Sequence, residues 1–272
     1  METAAPSRFD SVSRIAVARW RDGMAEDCTD DVAAEVPVAL EYNGISHAVM
    51  LASPADLEDF ALGFSLTEGI LRHPGELYDI ELRETEDGIQ LQMQISSERF
   101  AQLKEHRRSM AGRTGCGLCG AENLKQVIRP VPPVETSVRL SSQALHAALH
   151  QLQARQQLQR ITGAAHAAAW LDGDGAVTCL REDVGRHNAL DKLIGALSAR
   201  SVDFRCGAVL VTSRASYEMV HKTASVGAGL LAAISAPTAL AIRMAEQLNV
   251  TLVGFVRNGG HAVYSNPQRL LA

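Results

Sequence analysis

From residue 142 onward the chain alternates between helical and strand patterns, and this rhythm limits the fold more than any other feature. A helical stretch over 142–159 precedes a strand pair at 165–170 and 176–180, which meets across the Asp-Gly-Asp-Gly run at 172–175. Asp183 then opens a helix carrying Ala189, Leu190, Leu193, Ile194 and Leu197 on its inner face. A buried-type strand at 207–212, helical patterns at 217–226 and 238–248, and a strand at 251–256 follow. Parallel neighbours need a crossover, and each helix has one apolar stripe to bury, so such a pattern settles as helices on both faces of a sheet. The expectation is a three-layer α/β unit over 134–272.

The first half reads differently. Residues 1–34 are polar and read as an irregular N-terminal segment. Order is expected to begin with a hairpin, 36–42 and 45–51, around Asn43-Gly44, a pair suited to positive φ. Ser53 and Pro54 read as the cap and first residue of a helix that ends near Gly69. Two strands follow, the second alternating Ile89, Leu91, Met93 and Ile95 with glutamines, and Ser97 caps a helix to about residue 106. Residues 107–120 break all periodicity and read as an exposed loop, and Pro130-Val-Pro-Pro133 as a stiff linker. The reading is therefore a smaller α+β domain over 35–130 that ends in the loop, then the larger α/β domain. A length of 272 residues accommodates two such units.

Composition removes several function classes. A net charge of -5 argues against a general nucleic-acid binder. The longest apolar stretch, 227–242, is interrupted by Ser235 and Pro237 and is short for a bilayer span. The opening residues lack a signal-peptide pattern, so a cytoplasmic protein with no membrane association is expected. Five cysteines, three of them isolated (Cys28, Cys179 and Cys206), do not make an exported disulfide scaffold.

The remaining pair, Cys116 and Cys119, is the sharpest chemical feature. A zinc half-site would need a second pair of ligands, which the spacing does not supply. A thioredoxin-like dithiol would sit between a strand and a helix rather than after a glycine-rich loop. A nucleophilic cysteine that carries a group between partners fits the local charge: residues 106–120 hold Arg107, Arg108 and Arg113 and no acid, and positive charge enriches the thiolate. Spacing alone leaves these three readings open.

A second cluster lies at strand ends of the larger domain, where open α/β sheets bind ligands. The run 181–188 offers Arg186, His187 and Asn188 as donors, with Asp183 as a cap and Gly185 allowing close backbone approach. A second junction supplies Thr212, Ser213, Arg214 and Ser216, and a third Phe255, Val256, Arg257, Asn258, Gly259 and Gly260. Together they fit a phosphorylated or nucleotide-like ligand; the competing reading is ordinary caps and surface charges. Other hits are discounted. Residues 227–232 match a dinucleotide fingerprint but lie in a helical pattern, His221 reads as helix surface, and Met219 and Met244 read as core. His146 and His150 lack a third ligand, so no intrinsic metal is expected.

The run RTGCGLCG at 113–120, TGAAHAA at 162–168 and REDVGRHNALDK at 181–192 resemble the formate dehydrogenase accessory sulfurtransferase family, FdhD. So do TSR at 212–214, EMV at 218–220, Ala236-Pro237 and the closing GFVRNG at 254–259, and the motifs in order span about 35–265. The resemblance implies a sulfur carrier that takes persulfide sulfur from a cysteine desulfurase. It would deliver this sulfur to the bis(molybdopterin guanine dinucleotide) molybdenum cofactor before that cofactor enters formate dehydrogenase. It further implies Cys116 as the persulfide residue, Cys119 as its partner in transfer or relay, 255–260 as cofactor contacts, a cytidine-deaminase-like fold for the larger domain with a flexible CxxC loop between the domains, and a homodimer. Two alternatives stand beside it. A chaperone could bind the cofactor without sulfurating it. A zinc deaminase would need a Glu two residues after His166, where this chain has Ala168, and a Pro-Cys-x-x-Cys after it, whereas the cysteine pair comes before.

Overall fold

A computed structural model describes residues 9–111, 129–257 and 259–272. The first surprise lies in the segment expected to be irregular. Strands β1 (Val12–Arg21) and β2 (Met24–Ala33) pair along their whole length as an antiparallel ribbon. Asp22 and Gly23 turn the chain at φ +51° and +82°, a hairpin signal as strong as the Asn-Gly one further on. High charge on both strands masks the strand pattern, which is why the sequence reads as irregular.

The next unit is a four-stranded sheet in the order β4-β3-β6-β5, built from β3 (Val36–Tyr42), β4 (Ile45–Ala52), β5 (Leu77–Glu84) and β6 (Ile89–Ile95). Asn43 and Gly44 make the expected turn at φ +46° and +80°. The Asn43 side chain also clamps the neighbouring strand, donating to Ile95 O at 3.1 Å and accepting from Ile95 N at 2.7 Å. One face of the sheet buries Val38, Leu40, Leu91 and Met93 against helix α1 (Leu57–Thr67), which contributes Phe60, Ala61 and Phe64. Each such side chain contributes roughly 1.5–3 kcal/mol when fully buried.

Two boundaries differ from expectation. Ser53 does not cap α1; Asp56, in the left-handed region, precedes it, and Ser53 is buried with its polar groups engaged elsewhere. Helix α2 (Ser97–Ala111) runs five residues into the stretch expected to be loop. The rest of that loop lies outside the described residues.

The larger unit begins with strand β7 (Leu140–Ser141) and helices α3 (Ser142–Arg155) and α4 (Gln157–Thr162), which are one helix in the sequence pattern but break at Gln156. Its six-stranded sheet has the order β13-β12-β11-β10-β8-β9. The strands are β8 (His166–Leu171), β9 (Val177–Asp183), β10 (Ala208–Val211), β11 (Leu230–Ala233), β12 (Thr251–Arg257) and β13 (Gly260–Ser265). Short β14 (Leu270–Leu271) pairs with β7. Helix α3 covers one face, packing Leu145, Leu149 and Leu152 over Ala167, Ala169, Leu210 and Val253. Helices α5 (Arg186–Ala199), α6 (Tyr217–Ser225) and α7 (Ala239–Gln247) cover the other, over Ala168, Trp170, Val209, Leu231 and Leu252. Successive strand residues thus enter different cores, so the central strands are apolar throughout.

The fingerprint-like run at 227–232 is not helical. It enters β11, a central strand bonded to parallel neighbours on both sides. Four apolar residues are too few for periodicity to separate a strand from a helix turn. The helix expected to open at Asp183 starts instead at Arg186, behind Gly185.

Candidate functional site

Strands β10, β11 and β12 are parallel, and β9, antiparallel to β8, which is itself antiparallel to β10, runs in the same direction. The C-terminal ends of β9 through β12, apart from the oppositely directed β8, therefore open onto one end of the sheet. All three junctions singled out by sequence emerge there: Arg186 after β9, Arg214 after β10, and Phe255 to Arg257 at the close of β12. The start of β8 brings His166 to the same end, opposite Asp183 in register.

The turn after β9 is organised by a carboxylate. Asp183 is fully buried; its Oδ1 accepts from Gly185 N at 2.7 Å and Asn188 Nδ2 at 3.0 Å. Its Oδ2 accepts from Ser53 N at 3.0 Å and lies 2.7 Å from Lys192 Nζ, which also donates to Ser53 O at 2.9 Å. Ser53 Oγ accepts from Val184 N at 3.1 Å, and Asn188 donates to Leu51 O at 2.8 Å. Asp183 and Asn188 are thus engaged in shaping the turn and binding it to the smaller unit, and Asn188 is not a free ligand donor as the sequence suggests.

Arg186 and His187 diverge. The Nε of Arg186 is buried without a hydrogen-bond partner among the described residues. Burial and the Arg186 charge both hold His166 below its usual 6.5. His187 lines a cavity of about 240 Å³ between the two units, with Met50, Phe64, Arg129 and Tyr217. Its Nε2 is 2.8 Å from Glu218 Oε2, and burial lowers its pKa despite that carboxylate. Arg214 is exposed in the bend after β10, and Ser216, next to the start of α6, has a buried hydroxyl without a partner among the described residues.

The close of β12 is irregular. Phe255 has φ +54°, rare for an aromatic residue, and the register with β13 shifts between Gly254 and Arg257. This bulge leaves Phe255 36% exposed while Val256 is buried, and the Arg257 guanidinium lies 5.3 Å from the Phe255 ring centre. Gly259 has φ +73°, and Gly260 begins β13. Exposed aromatic and guanidinium groups at a strand end can stack on a flat base and pair with phosphate. Asn258, Cys116 and Cys119 lie outside the described residues.

Sequence reasoning missed two features. Lys222 is buried, donating to Asp191 at 2.9 Å, Glu68 Oε1 at 3.0 Å and Thr67 Oγ1 at 2.9 Å. Burial alone would lower its pKa, but Asp191 and Glu68 hold it raised. The neighbouring His221, expected on the surface, is buried with Nε2 3.0 Å from Arg129 O. A lysine inside a helix pattern is normally solvated, so no local signal marks this one. His146 meets His261 at 3.2 Å instead of pairing with His150, a contact across 115 positions that no spacing rule anticipates. Met219 and Met244 are core, as expected. Of the remaining cysteines, Cys179 is buried and its thiol is pushed up by burial, which makes it a poor nucleophile. No group of three or more metal-ligating side chains occurs among the described residues, and none of their helices is long and apolar enough to cross a membrane.

Known proteins share this fold. A crystal structure titled as a putative formate dehydrogenase accessory protein from Desulfotalea psychrophila matches 96% of this chain and all of its own. Its TM-score is 0.78 at 22% identity, which establishes a shared fold. The sulfur carrier protein FdhD of Cupriavidus necator is 63% identical over 258 residues, 95% of this chain and 90% of its own. That of Bordetella petrii is 58% identical, covering 98% and 96%, and that of Xanthomonas campestris 52%, covering 99% and 95%. The FdhD/NarQ family pattern matches residues 33–271. With that pattern spanning both units and such relatives aligned over nearly their whole length, the chain belongs to the FdhD/NarQ family.

Proposed function

We propose that this sulfur carrier holds its cargo as a persulfide on Cys116, with Cys119 as relay partner, and passes it to the bis(molybdopterin guanine dinucleotide) cofactor. In this reading the chain acts as a sulfurtransferase in the cytoplasm. A cysteine desulfurase is the donor, formate dehydrogenase receives the sulfurated cofactor, and the working form is a homodimer. The Cys116 thiolate attacks the terminal sulfur of a donor persulfide, the donor S–S bond breaks, and the donor cysteine leaves as its thiolate. The 134–272 unit, deaminase-like in this account, is the cofactor-binding domain, and 35–130 the smaller one.

One observation carries the cofactor side of this reading. Arg186, Arg214, Phe255 and Arg257 come from three strand ends that open together, and Arg186 Nε is buried with no partner among the described residues. An unpaired buried guanidinium nitrogen is costly, and a phosphate oxygen is the acceptor that best relieves it. The two guanine nucleotide arms of the cofactor supply both pyrophosphate for the arginines and flat bases for Phe255. Val256 is buried within the bulge, and Gly259 and Gly260 let the turn approach the ligand. His187, turned toward Glu218, acts on the cavity side of the same turn.

The test is formate dehydrogenase maturation with Cys116→Ala in place of the wild type. A sulfur carrier loses maturation while retaining cofactor binding. A chaperone that binds without sulfurating would support maturation undiminished.

A further inference from the structure

The ribbon of β1 and β2 lies almost wholly outside the family pattern, which begins at residue 33, yet it is fully paired over ten residues on each strand. Alignments reaching 98% and 99% of this chain must run through it, so the Bordetella and Xanthomonas relatives carry a counterpart segment. Its conformation needs explanation, because a lone two-stranded hairpin is marginal at best in water. Little of this chain covers it. Its base is closed by Ala34 N to Ser11 O at 2.9 Å, and β2 leans on α4. Beyond that base, Ile15 is 47% exposed, Trp20 71%, Met24 75% and Val32 38%. The register places Ile15, Val17, Met24, Cys28 and Val32 on one face with Arg19, Arg21, Glu26 and Asp30, and Trp20 on the other. Apolar side chains held on an ordered, two-sided ribbon mark a surface that something covers.

Charge identifies the occupant. β1 carries Arg14, Arg19 and Arg21 and no acid; β2 carries Glu26, Asp27, Asp30 and Asp31 and no base. On the apolar face Arg19 meets Asp30 at 3.5 Å, whereas Arg14 and Asp31, paired at 2.9 Å, lie on the opposite face with Asp27. Arg21 and Glu26, also on the apolar face, form no salt bridge within the ribbon. A surface with one basic strand and one acidic strand is complementary to itself: two copies stacked face to face about a twofold axis along the ribbon set each basic strand over the other copy's acidic strand. A uniformly acidic or basic partner would be repelled by one strand or the other.

We propose that the ribbon of residues 12–33 is a dimerisation arm that docks on the same ribbon of a second copy, apolar face to apolar face with opposite charges aligned. The inference rests on the homodimer reading above and assigns its interface. It calls for two full-length variants studied by analytical ultracentrifugation. One reverses the basic residues of the apolar face (Arg19→Glu, Arg21→Glu) and the other its acidic residues (Glu26→Lys, Asp30→Lys). The wild type is expected at twice its chain mass of 29.2 kDa. Each variant alone should dissociate at least tenfold more readily, and an equimolar mixture should recover the two-chain species, which also proves that both variants fold. Variants that remain dimeric alone, or that stay monomeric when mixed, would overturn the ribbon interface while leaving a homodimer possible through another surface. A wild type monomeric at every concentration would overturn both. Persulfide loading, measured alongside, reports on the carrier function independently of either result.

Discussion

Gly63 and Gly195 lie where helices α1 and α5 cross, and each faces the backbone of the other helix. A methyl group built on Gly63 would run into the carbonyl of Asp191, and one on Gly195 into the carbonyl of Asp59. The two helices therefore touch backbone to backbone, and this contact joins the smaller unit to the larger.

Gly63→Ala or Gly195→Ala forces the helices apart. We expect a loss of about 1–3 kcal/mol or more from overpacking, read as a lower urea midpoint. Unchanged midpoints in both variants would contradict the close crossing. A Gly75→Ala control lies in an exposed turn where the nearest neighbour is the movable His73 ring, and it should cost little.

The Lys222 cluster makes a different demand. Removing one partner leaves the other charge buried, so Lys222→Met should cost about 3–5 kcal/mol. Replacing Asp191 as well, with Leu, removes the stranded carboxylate, and the double variant should lose much less than the sum of the two singles. Strict additivity in a denaturation cycle would show that the pair is not coupled.

The sign of the acid response follows from the histidines. His166, His187 and His221 all titrate below 6.5 in the folded state, with burial as the largest cause. The unfolded chain therefore takes up protons first as pH falls. The stability these neutral rings contribute is intact above about pH 6.5 and declines as pH drops through that value toward the folded pKa values. Tm should be lower at about pH 5.5 than at about pH 7.5, and His221→Gln should flatten that difference. A Tm that rises on acidification would contradict neutral burial.

The strand-end site can be tested without sulfur chemistry. Arg186→Ala and Arg214→Ala should each weaken binding of a guanine nucleotide diphosphate by roughly ten- to a hundredfold, the worth of one charge-assisted contact. Phe255→Ala should weaken it by about 1–3 kcal/mol if a base stacks there. Arg205→Ala, remote from this end and paired only within its own turn, serves as the control. Equal affinity across all four variants in titration calorimetry would remove the site from this end of the sheet.

The sequence made some of this legible and hid the rest for physical reasons. The Asn43-Gly44 hairpin and the alternation in β6 depend on neighbours in sequence, so both are readable there. The three strand-end clusters are also readable, because topology in a mostly parallel sheet brings the ends of like-directed strands together. The ribbon was hidden by its charge, although Asp22-Gly23 marks its turn. The roles of Ser53 and Asn188 were hidden because they depend on Asp183 and on strand β4, more than a hundred residues away from one another in the chain. Lys222 was hidden for the same reason: its helix gives no sign that Asp191 from α5 and Glu68 from just past the end of α1 arrive to receive it.

The central claim concerns Cys116, and mass spectrometry after incubation with a cysteine desulfurase and free cysteine tests it most directly. The account expects a gain of one sulfur, about 32 Da, removed by reductant, mapped to the peptide containing Cys116 and lost in Cys116→Ala. Wild-type protein that gains no sulfur while the same desulfurase loads another acceptor would contradict it.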